Sequence, residues 1–343
     1  MKKWSYLFVY SLPVAVYVAF NVKGVLTFLP IFIFYGLVPL FELMTKPDSS
    51  NPEDLDSLKR NRFYDFLLYL SVPVQVIFLF YFLHVVSVNH YTTLEYIGIS
   101  ISMGLMCGVF GINIAHELGH RQQRFEQLLA EILLLTSLEM HFLPYHNSGH
   151  HKNVGTRKDP ATARKGEPVY VFWFRSQIGS YFQAWSLEAK RLKKRNMTPY
   201  SLKNRAFAYT IIQLVFIGAI YYFYGLLPLL LFTIASVFGI LLLETVNYIE
   251  HYGLMRTQNE SGYYERVMHE HSWNSDHPIG RAMLFELSRH SDHHYKASKK
   301  YQILESLPGA PQMPTGYPGM MLFSLIPPLW FKVMNKKLST LQL

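Results

Sequence analysis

The chain has 343 residues, of which 50% are hydrophobic and 16% aromatic, and only 16% carry a charge. Soluble proteins average about 25% charged residues, so this composition favours a membrane protein. The formal net charge of +9 suits nucleic acid or a membrane surface. We expect the membrane and no nucleic-acid partner, because no nucleic-acid-binding motif is present and the basic residues lie between apolar segments.

The single cysteine, Cys107, lies inside an apolar run. It cannot form a disulfide within the chain. One thiolate is also too few for a fused rubredoxin, an iron–sulfur domain or a cysteine-rich zinc module. The glycine-rich fingerprint of dinucleotide-binding proteins is missing as well. A redox enzyme with this sequence would therefore receive its electrons from another protein.

Six apolar segments are long enough to cross a bilayer, which takes about 20 residues. The first follows Met1-Lys2-Lys3 and could be read as a signal peptide, but it has no clear small-residue cleavage site and a second span follows at once. The sequence therefore predicts an all-α integral membrane protein with six transmembrane helices in one domain. The predicted spans are about 6–21, 25–44, 66–88, 94–115, 207–224 and 226–249.

The basic residues predict which way these helices run. Six spans with an inside N-terminus leave short outer loops near 22–24, 89–93 and 225, and the only Lys or Arg in them is Lys23. The positive-inside rule then places both termini, the loop 117–206 and the tail 250–343 on the cytoplasmic side. We expect this protein in the inner (plasma) membrane of a bacterium.

Three segments outside the spans carry expectations of their own. Residues 128–143 are apolar but contain two glutamates, which predicts a partly buried or re-entrant helix and not a seventh span. Residues 188–205 are strongly basic and suit either a face near anionic lipid headgroups or a docking face for an acidic electron donor. Residues 320–331 are apolar but too short to span, so an interfacial position is expected.

Nine of the fifteen histidines lie in four clusters at or beyond the predicted cytoplasmic ends of apolar segments. Neutral imidazole is a good ligand for iron, zinc, copper and nickel. Nine imidazoles are too many for one ion, but they suit two. The sequence therefore predicts a dinuclear metal site in a cytoplasmic cap. Its predicted ligands are His116, His120, His146, His150, His151, His251, His290, His293 and His294.

The spacing of the histidines bears on how they bind. His116 and His120 are four residues apart and would share one face of a helix that continues from the fourth span. In the adjacent pairs, 150–151 and 293–294, neighbours would point about 100° apart on a helix, so each pair either serves two metals or brackets one. Four nearby side chains are expected to hydrogen-bond and orient ligand imidazoles. They are Glu117, Glu250, Asp292 and His271.

Two other functional classes remain open at this point. The segment from His116 to His120 also matches H-E-x-x-H, the zinc metallopeptidase pattern in which the glutamate is the general base. An intramembrane peptidase would need one further ligand, usually an aspartate, and not seven more histidines. A metal transporter would need ionisable groups inside its spans, and the predicted spans contain very few.

The histidine blocks HELGHR, HNSGHH, NYIEHYGL and SRHSDHH resemble those of the membrane alkane hydroxylases, the alkane 1-monooxygenases. These enzymes belong to a histidine-rich diiron class that also includes fatty-acid desaturases and xylene monooxygenase. The resemblance runs from His116 to about Ser306, and the NYIEHYG segment separates such hydroxylases from ordinary desaturases. One departure is Arg121, which stands where the family usually has lysine and preserves the charge.

The resemblance implies two iron ions, O2 as co-substrate and hydroxylation of the terminal carbon of an alkane to a 1-alkanol. It also implies a separate rubredoxin, reduced through an NADH-dependent reductase, which agrees with the single cysteine. An alkane dissolved in the bilayer would enter between the helices and approach the metals end-on. Desaturation of a fatty-acyl chain, or hydroxylation of an aromatic methyl group, by the same centre is the alternative.

Overall fold

The computed structural model describes residues 1–341. Regular secondary structure in this part of the chain is helical, apart from two isolated β-bridges. Six helices are long and apolar enough to cross a membrane, as the sequence predicts. The twelve main helices are α1 (Lys3–Asn21), α2 (Gly24–Met44), α3 (Leu55–Val88), α4 (Thr93–Gly119), α5 (Arg124–Leu135), α6 (Val169–Lys193), α7 (Arg205–Tyr224), α8 (Leu226–His251), α9 (Pro278–Met283), α10 (His290–Tyr295), α11 (Tyr317–Ser324) and α12 (Pro327–Thr340).

Polar caps extend the spanning helices beyond their apolar runs. α3 begins well before the predicted residue 66, because Asp54 accepts a hydrogen bond from Ser57 N at 3.0 Å and Asn61 caps a second start. α4 starts with a capping box, in which Thr92 and Glu95 each bond the other's backbone N–H. At their far ends α4 and α8 run on to Gly119 and His251. Both helices therefore carry histidines on their last turns.

Helix α6 is the one long helix that hydropathy did not predict. Its buried positions recur every three or four residues, but they include small and polar side chains such as Ser176, Ser180 and Glu188. The basic stretch 188–205 overlaps its end. There Glu188 is buried and pairs with Arg191 at 2.7 Å and Arg205 at 2.9 Å, so part of the positive charge is neutralised internally.

Residues 128–143 form a helix and a sharp turn, with no seventh span. α5 ends at Leu135, and the chain reverses at Leu138, whose φ is 56°. Glu139 is then buried, with Gln177 Nε2 at 2.8 Å and His141 Nε2 at 3.2 Å. Burial raises the pKa of Glu139 to about 8 and lowers that of His141 to about 4. Both side chains are therefore neutral at pH 7, so their contact is not an ion pair.

The apolar segment 320–331 contributes to two helices, each with one buried face and one exposed face. Met320, Trp330 and Met334 are buried in a core that α11 and α12 share with the end of α8. Leu322 and Ile326 on the other side are exposed. α11 ends at Ser324, and α12 begins at Pro327. The segment covers the bundle with one face and presents an apolar surface with the other.

Candidate metal centre

The nine predicted histidine ligands converge at one end of the bundle, where α4 and α8 end. They come from the last turns of α4 and α8, from the turn around residues 146–151, and from α10. They divide into two sets, and within each set one ligand atom of every member lies within 4.8 Å of the others. The five-histidine group is His116, His120, His146, His151 and His293. The four-histidine group is His150, His251, His290 and His294.

In the five-histidine group the Nε2 atoms point at a common centre. Those of His120, His146 and His151 form a triangle with sides of 3.0–3.2 Å. His293 Nε2 lies 3.2 Å from that of His151 and 3.0 Å from that of His116. Three nitrogens at the corners of a triangle cannot all form linear hydrogen bonds to one another, but they can all bind one ion.

These spacings fit an imidazole-bound metal. Two imidazole nitrogens at about 2.1 Å from one ion and about 90° apart are separated by about 3.0 Å. The four-histidine group shows the same spacing, with His290 Nε2 at 3.2 Å from His251 Nε2 and 2.9 Å from His294 Nε2. His150 Nε2 is buried and has no hydrogen-bond partner among the described residues. The donor set therefore fits two metal ions, one in each group.

The backbone explains how adjacent histidines separate. Residues His146–His150 form a π-helical turn, in which positions five apart lie over one another. His146 and His151 therefore meet in the five-histidine group, while His150 turns into the other group. On α10, His293 and His294 also split between the groups, and His290 joins His294 one turn away. Each adjacent pair thus contributes one imidazole to each group.

Burial favours the neutral imidazole, which is the form that binds metals. Burial, together with neighbouring His150 and Arg121, lowers the pKa of His120 to about 3. Burial and the adjacent imidazoles also hold the pKa values of His146, His151 and His293 well below their usual range. Protons therefore do not compete for the ligand atoms of these four histidines near pH 7.

Asp159 is a carboxylate at the site that the sequence analysis missed. Its Oδ2 lies 2.9 Å from His150 Nδ1, and its Oδ1 accepts a hydrogen bond from the Tyr145 hydroxyl at 2.6 Å. Burial would raise the pKa of Asp159, but His150 and hydrogen bonds from Tyr145 and Thr162 lower it. The carboxylate is thus charged and fixes which nitrogen of His150 points into the four-histidine group.

One of the four side chains predicted to orient ligands, that of Glu250, contacts a ligand in the described structure. Glu250 Oε2 is 3.2 Å from His290 Nε2. This is the nitrogen that faces the other imidazoles of the four-histidine group, so Glu250 lies beside the donor atom itself. The His271 imidazole instead accepts a hydrogen bond from Met268 N at 2.9 Å and lies 3.3 Å from Glu265.

The remaining two of these side chains, Glu117 and Asp292, also bond elsewhere in the described structure. Glu117 contacts Arg121 Nη2 at 2.7 Å and Tyr301 N at 3.3 Å. Asp292 bonds Lys299 Nζ at 2.8 Å and Glu305 N at 2.9 Å. Glu117 is therefore held by an ion pair, which argues against the general-base role that the H-E-x-x-H pattern would give it.

An apolar cavity lies directly beneath both histidine groups. It is bounded by α4 and α8, with walls from α1, α2 and α11. His116 and His146 of the five-histidine group line it, as does His290 of the four-histidine group. Its other polar side chains are Asn113, Asn247 and Glu250. A lipophilic molecule in this cavity would have one end at the histidines.

Comparison with known proteins agrees with this geometry. Residues 92–323 match the fatty acid desaturase family. The alkane 1-monooxygenase of Ectopseudomonas oleovorans is 38% identical over 316 residues, which covers 92% of this chain and 79% of that protein. Alkane 1-monooxygenase 1 of Alcanivorax borkumensis is 38% identical over 306 residues, covering 89% and 75%.

A more distant relative is also similar over most of its length. The hydroxylase component of the xylene/toluene monooxygenase of Pseudomonas putida is 30% identical over 295 residues, covering 83% of this chain and 77% of that protein. The family match, the alkane 1-monooxygenase relatives and the six apolar helices lead to one assignment. The chain belongs to the alkane 1-monooxygenases, integral membrane enzymes within the fatty acid desaturase family.

Proposed function

We propose that this protein is a non-haem diiron monooxygenase that hydroxylates the terminal carbon of an alkane to a 1-alkanol, using O2 and electrons from a separate rubredoxin. The observation that carries this proposal is the position of both histidine groups at one apolar cavity. The alkane 1-monooxygenase relatives support the same activity.

The nine histidines would hold two iron ions, five imidazoles on one and four on the other. Bound iron would supply the oxidant that an unactivated C–H bond requires, since no amino-acid side chain can do so. The protein would contribute orientation and a dry site. Asp159 bonds the Nδ1 of His150, so this carboxylate keeps the opposite nitrogen in place before the substrate arrives, and Glu250 lies beside the donor atom of His290.

The cavity accounts for terminal selectivity. An alkane offers no polar group to recognise, so only the shape of the cavity can position it. The lining of α4 runs from Leu105 to His116, which is about 16 Å at 1.5 Å per residue. With C–C bonds of about 1.5 Å, an extended chain advances about 1.25 Å per carbon. We infer a substrate of about thirteen carbons that enters end-on, so that its terminal methyl reaches the histidines first.

Electrons would enter through the five-histidine group. His120 and His151 are partly exposed, whereas the other seven histidines are buried. Exposed Lys152 follows His151, and exposed Lys296 follows the end of α10. An acidic carrier such as a rubredoxin would be attracted to these charges. The basic stretch 188–205 is the other candidate face, and it carries exposed lysines of its own.

The orientation in the membrane follows from the charge distribution. With α4 and α8 ending at the histidines, the outer loops contain one basic residue, Lys23. We propose that the histidine groups and both termini face the cytoplasm, where reduced rubredoxin would be available, and that the protein resides in the bacterial inner membrane.

The test is product analysis with the purified, iron-loaded protein, a rubredoxin, its reductase and NADH under 18O2. We expect 1-alkanols containing one 18O atom, with the highest rate near thirteen carbons. His151→Ala should abolish product, while His90→Ala, an exposed histidine remote from both groups, should not. Alkenes from acyl substrates, or alcohols from xylene but not from alkanes, would overturn the proposal in favour of desaturation or aromatic-methyl hydroxylation. Full activity of His151→Ala would overturn the ligand assignment.

A further inference from the structure

A buried glutamate near the end of α2 has a position that neither metal binding nor packing explains. Glu42 is 0% exposed. Its Oε1 accepts a hydrogen bond from Gly280 N at 2.8 Å, while its Oε2 is buried and has no partner among the described residues. None of the ion pairs in the described part of the chain includes it. A buried carboxyl with an unused oxygen is costly, so it calls for a functional explanation.

Two glycines leave the space that this carboxyl occupies. A Cβ on Gly280 would lie 3.0 Å from Glu42 Oε1, and a Cβ on Gly316 would collide with the carboxyl group. Larger residues at either position would displace Glu42. The site is thus built around the carboxyl from two separate segments, the start of α9 and the start of α11.

Glu42 stands between two spaces of opposite character. On one side it lines an open surface crevice together with Asp276, His277 and Thr315. On the other side Gly280, to which it is hydrogen-bonded, lines the apolar cavity beneath the histidine groups. The carboxyl therefore lies between a polar crevice open to solvent and the apolar cavity at the histidines.

The proposed reaction needs protons inside that cavity, and this inference rests on the proposed function. Hydroxylation follows RH + O2 + 2 e⁻ + 2 H⁺ → ROH + H2O, so each turnover consumes two electrons from the donor and two protons. Electrons can pass through an apolar wall, but protons need ionisable groups or water. The apolar lining of the cavity supplies few such groups.

We propose that Glu42 passes protons from the crevice into the reaction cavity. Its protonated carboxyl releases a proton toward the cavity, and the resulting carboxylate takes up another from water in the crevice. Only O–H bonds break and form, and Glu42 ends each cycle as it began. Gly280, which donates its N–H to Glu42, lines the cavity, so water admitted to the cavity would carry the proton onward from this point.

The alternative is that Glu42 only accepts the hydrogen bond from Gly280 at the start of α9. Glu42→Gln separates these roles, because the amide oxygen can still accept that bond while the side chain cannot release a proton at neutral pH. Glu126→Gln is the matched control. Glu126 is also a buried glutamate, it bonds Tyr69, and it does not line the cavity or the crevice.

The experiment uses the full-length, iron-loaded protein with rubredoxin, reductase and an alkane. For Glu42→Gln we expect at least about a tenfold loss of the hydroxylation rate, a larger solvent isotope effect and more O2 released as H2O2. Anaerobic reduction by the donor and alkane binding should stay unchanged. Glu42→Asp should recover part of the rate, and Glu126→Gln should match the unmodified protein. Hydroxylation by Glu42→Gln at the unmodified rate, with unchanged coupling, would overturn the inference.

A second variant tests the same role by chemical rescue, which a misfolded protein would not show. Glu42→Ala vacates the carboxyl site, and formate added to the assay should restore hydroxylation in a concentration-dependent manner. If Glu42→Ala stays inactive with formate although it retains its metal and reduces normally, the inference is wrong. Absence of alkanol from the unmodified protein, by contrast, would overturn the proposed function itself.

Discussion

The two histidine groups offer a similar set of donor atoms in different surroundings. In the five-histidine group, His120 and His151 are partly exposed, and none of the described ion pairs involves one of its imidazoles. The four-histidine group is fully buried and contacts two carboxylates, Asp159 and Glu250. In the proposed function the partly exposed group would receive electrons. In the buried group Asp159 bonds the Nδ1 of His150, which orients this ligand and increases the basicity of its other nitrogen.

Removing one ligand from each group gives the largest expected effect. Without a ligand a metal site loses affinity. His290→Ala leaves three imidazoles in its group and should lower bound iron from about two to about one per chain, whereas His293→Ala still leaves four imidazoles in its group and should weaken iron binding less. Each variant should reduce hydroxylation by at least about 100-fold. Elemental analysis and product assays measure both effects. His84→Ala, an exposed position on α3, serves as the control. Retention of two irons by His290→Ala would contradict the division into five and four.

Weakening the contact between Asp159 and His150 tests whether this carboxylate increases the metal affinity of the four-histidine group. Asp159→Asn keeps the size of the side chain but removes the charge next to His150. We expect metal affinity to fall by about 10–100-fold in the four-histidine group alone, measured by competition with a chelator. Asp292→Asn is a suitable comparison, because Asp292 bonds Lys299 and Glu305. Equal losses from both groups in Asp159→Asn would show that the groups do not behave separately.

The cavity is common to both groups, so narrowing it should affect the substrate and leave both metals bound. Val109 lines the cavity about two turns of α4 below His116. Val109→Phe should lower kcat/KM for alkanes of about thirteen carbons by roughly 10–100-fold and spare short alkanes. Val88→Phe, at an exposed position, should change neither. An unchanged length profile for Val109→Phe would place the substrate elsewhere.

The smallest expected effect is on protein stability and comes from the buried pair Glu139 and His141. The pKa of Glu139 is raised to about 8 from 4.5, so between these values the folded protein binds a proton that the unfolded chain has lost, and stability falls as pH rises. His141, with a pKa lowered to about 4 from 6.5, acts in the opposite direction, but only below pH 6.5. From pH 6.5 to 8 the thermal midpoint should therefore decrease. Glu139→Gln should reduce the dependence of the thermal midpoint on pH. The same dependence in the variant would contradict the raised pKa of Glu139.

Much of this molecule could be predicted from the sequence, because its two strongest signals are local. A run of apolar residues specifies a spanning helix, and all six predicted spans are helices of the structure. The histidines that meet at the site also stand out by their spacing. All nine lie in the two groups, and the remaining histidines of the described chain lie outside both.

Features that depend on distant contacts or on unusual backbone geometry could not be predicted. Asp159 lies in a polar loop, and only the fold brings it to His150. The separation of His150 from His146 requires a π-helical turn, whereas a regular helix would have placed these two on one face. Helix α6 escaped detection because its buried stripe includes serine and glutamate. Glu42 gains its position only from glycines more than 200 residues away.

The metal content of the detergent-purified protein after reconstitution with Fe(II) tests the central claim most directly. Two donor groups, each with imidazole nitrogens about 3 Å apart, predict about two irons per chain, with no more than traces of zinc. Zinc near one per chain, with little iron even after reconstitution, would contradict the dinuclear oxygenase and the metal-binding roles of His251 and His290.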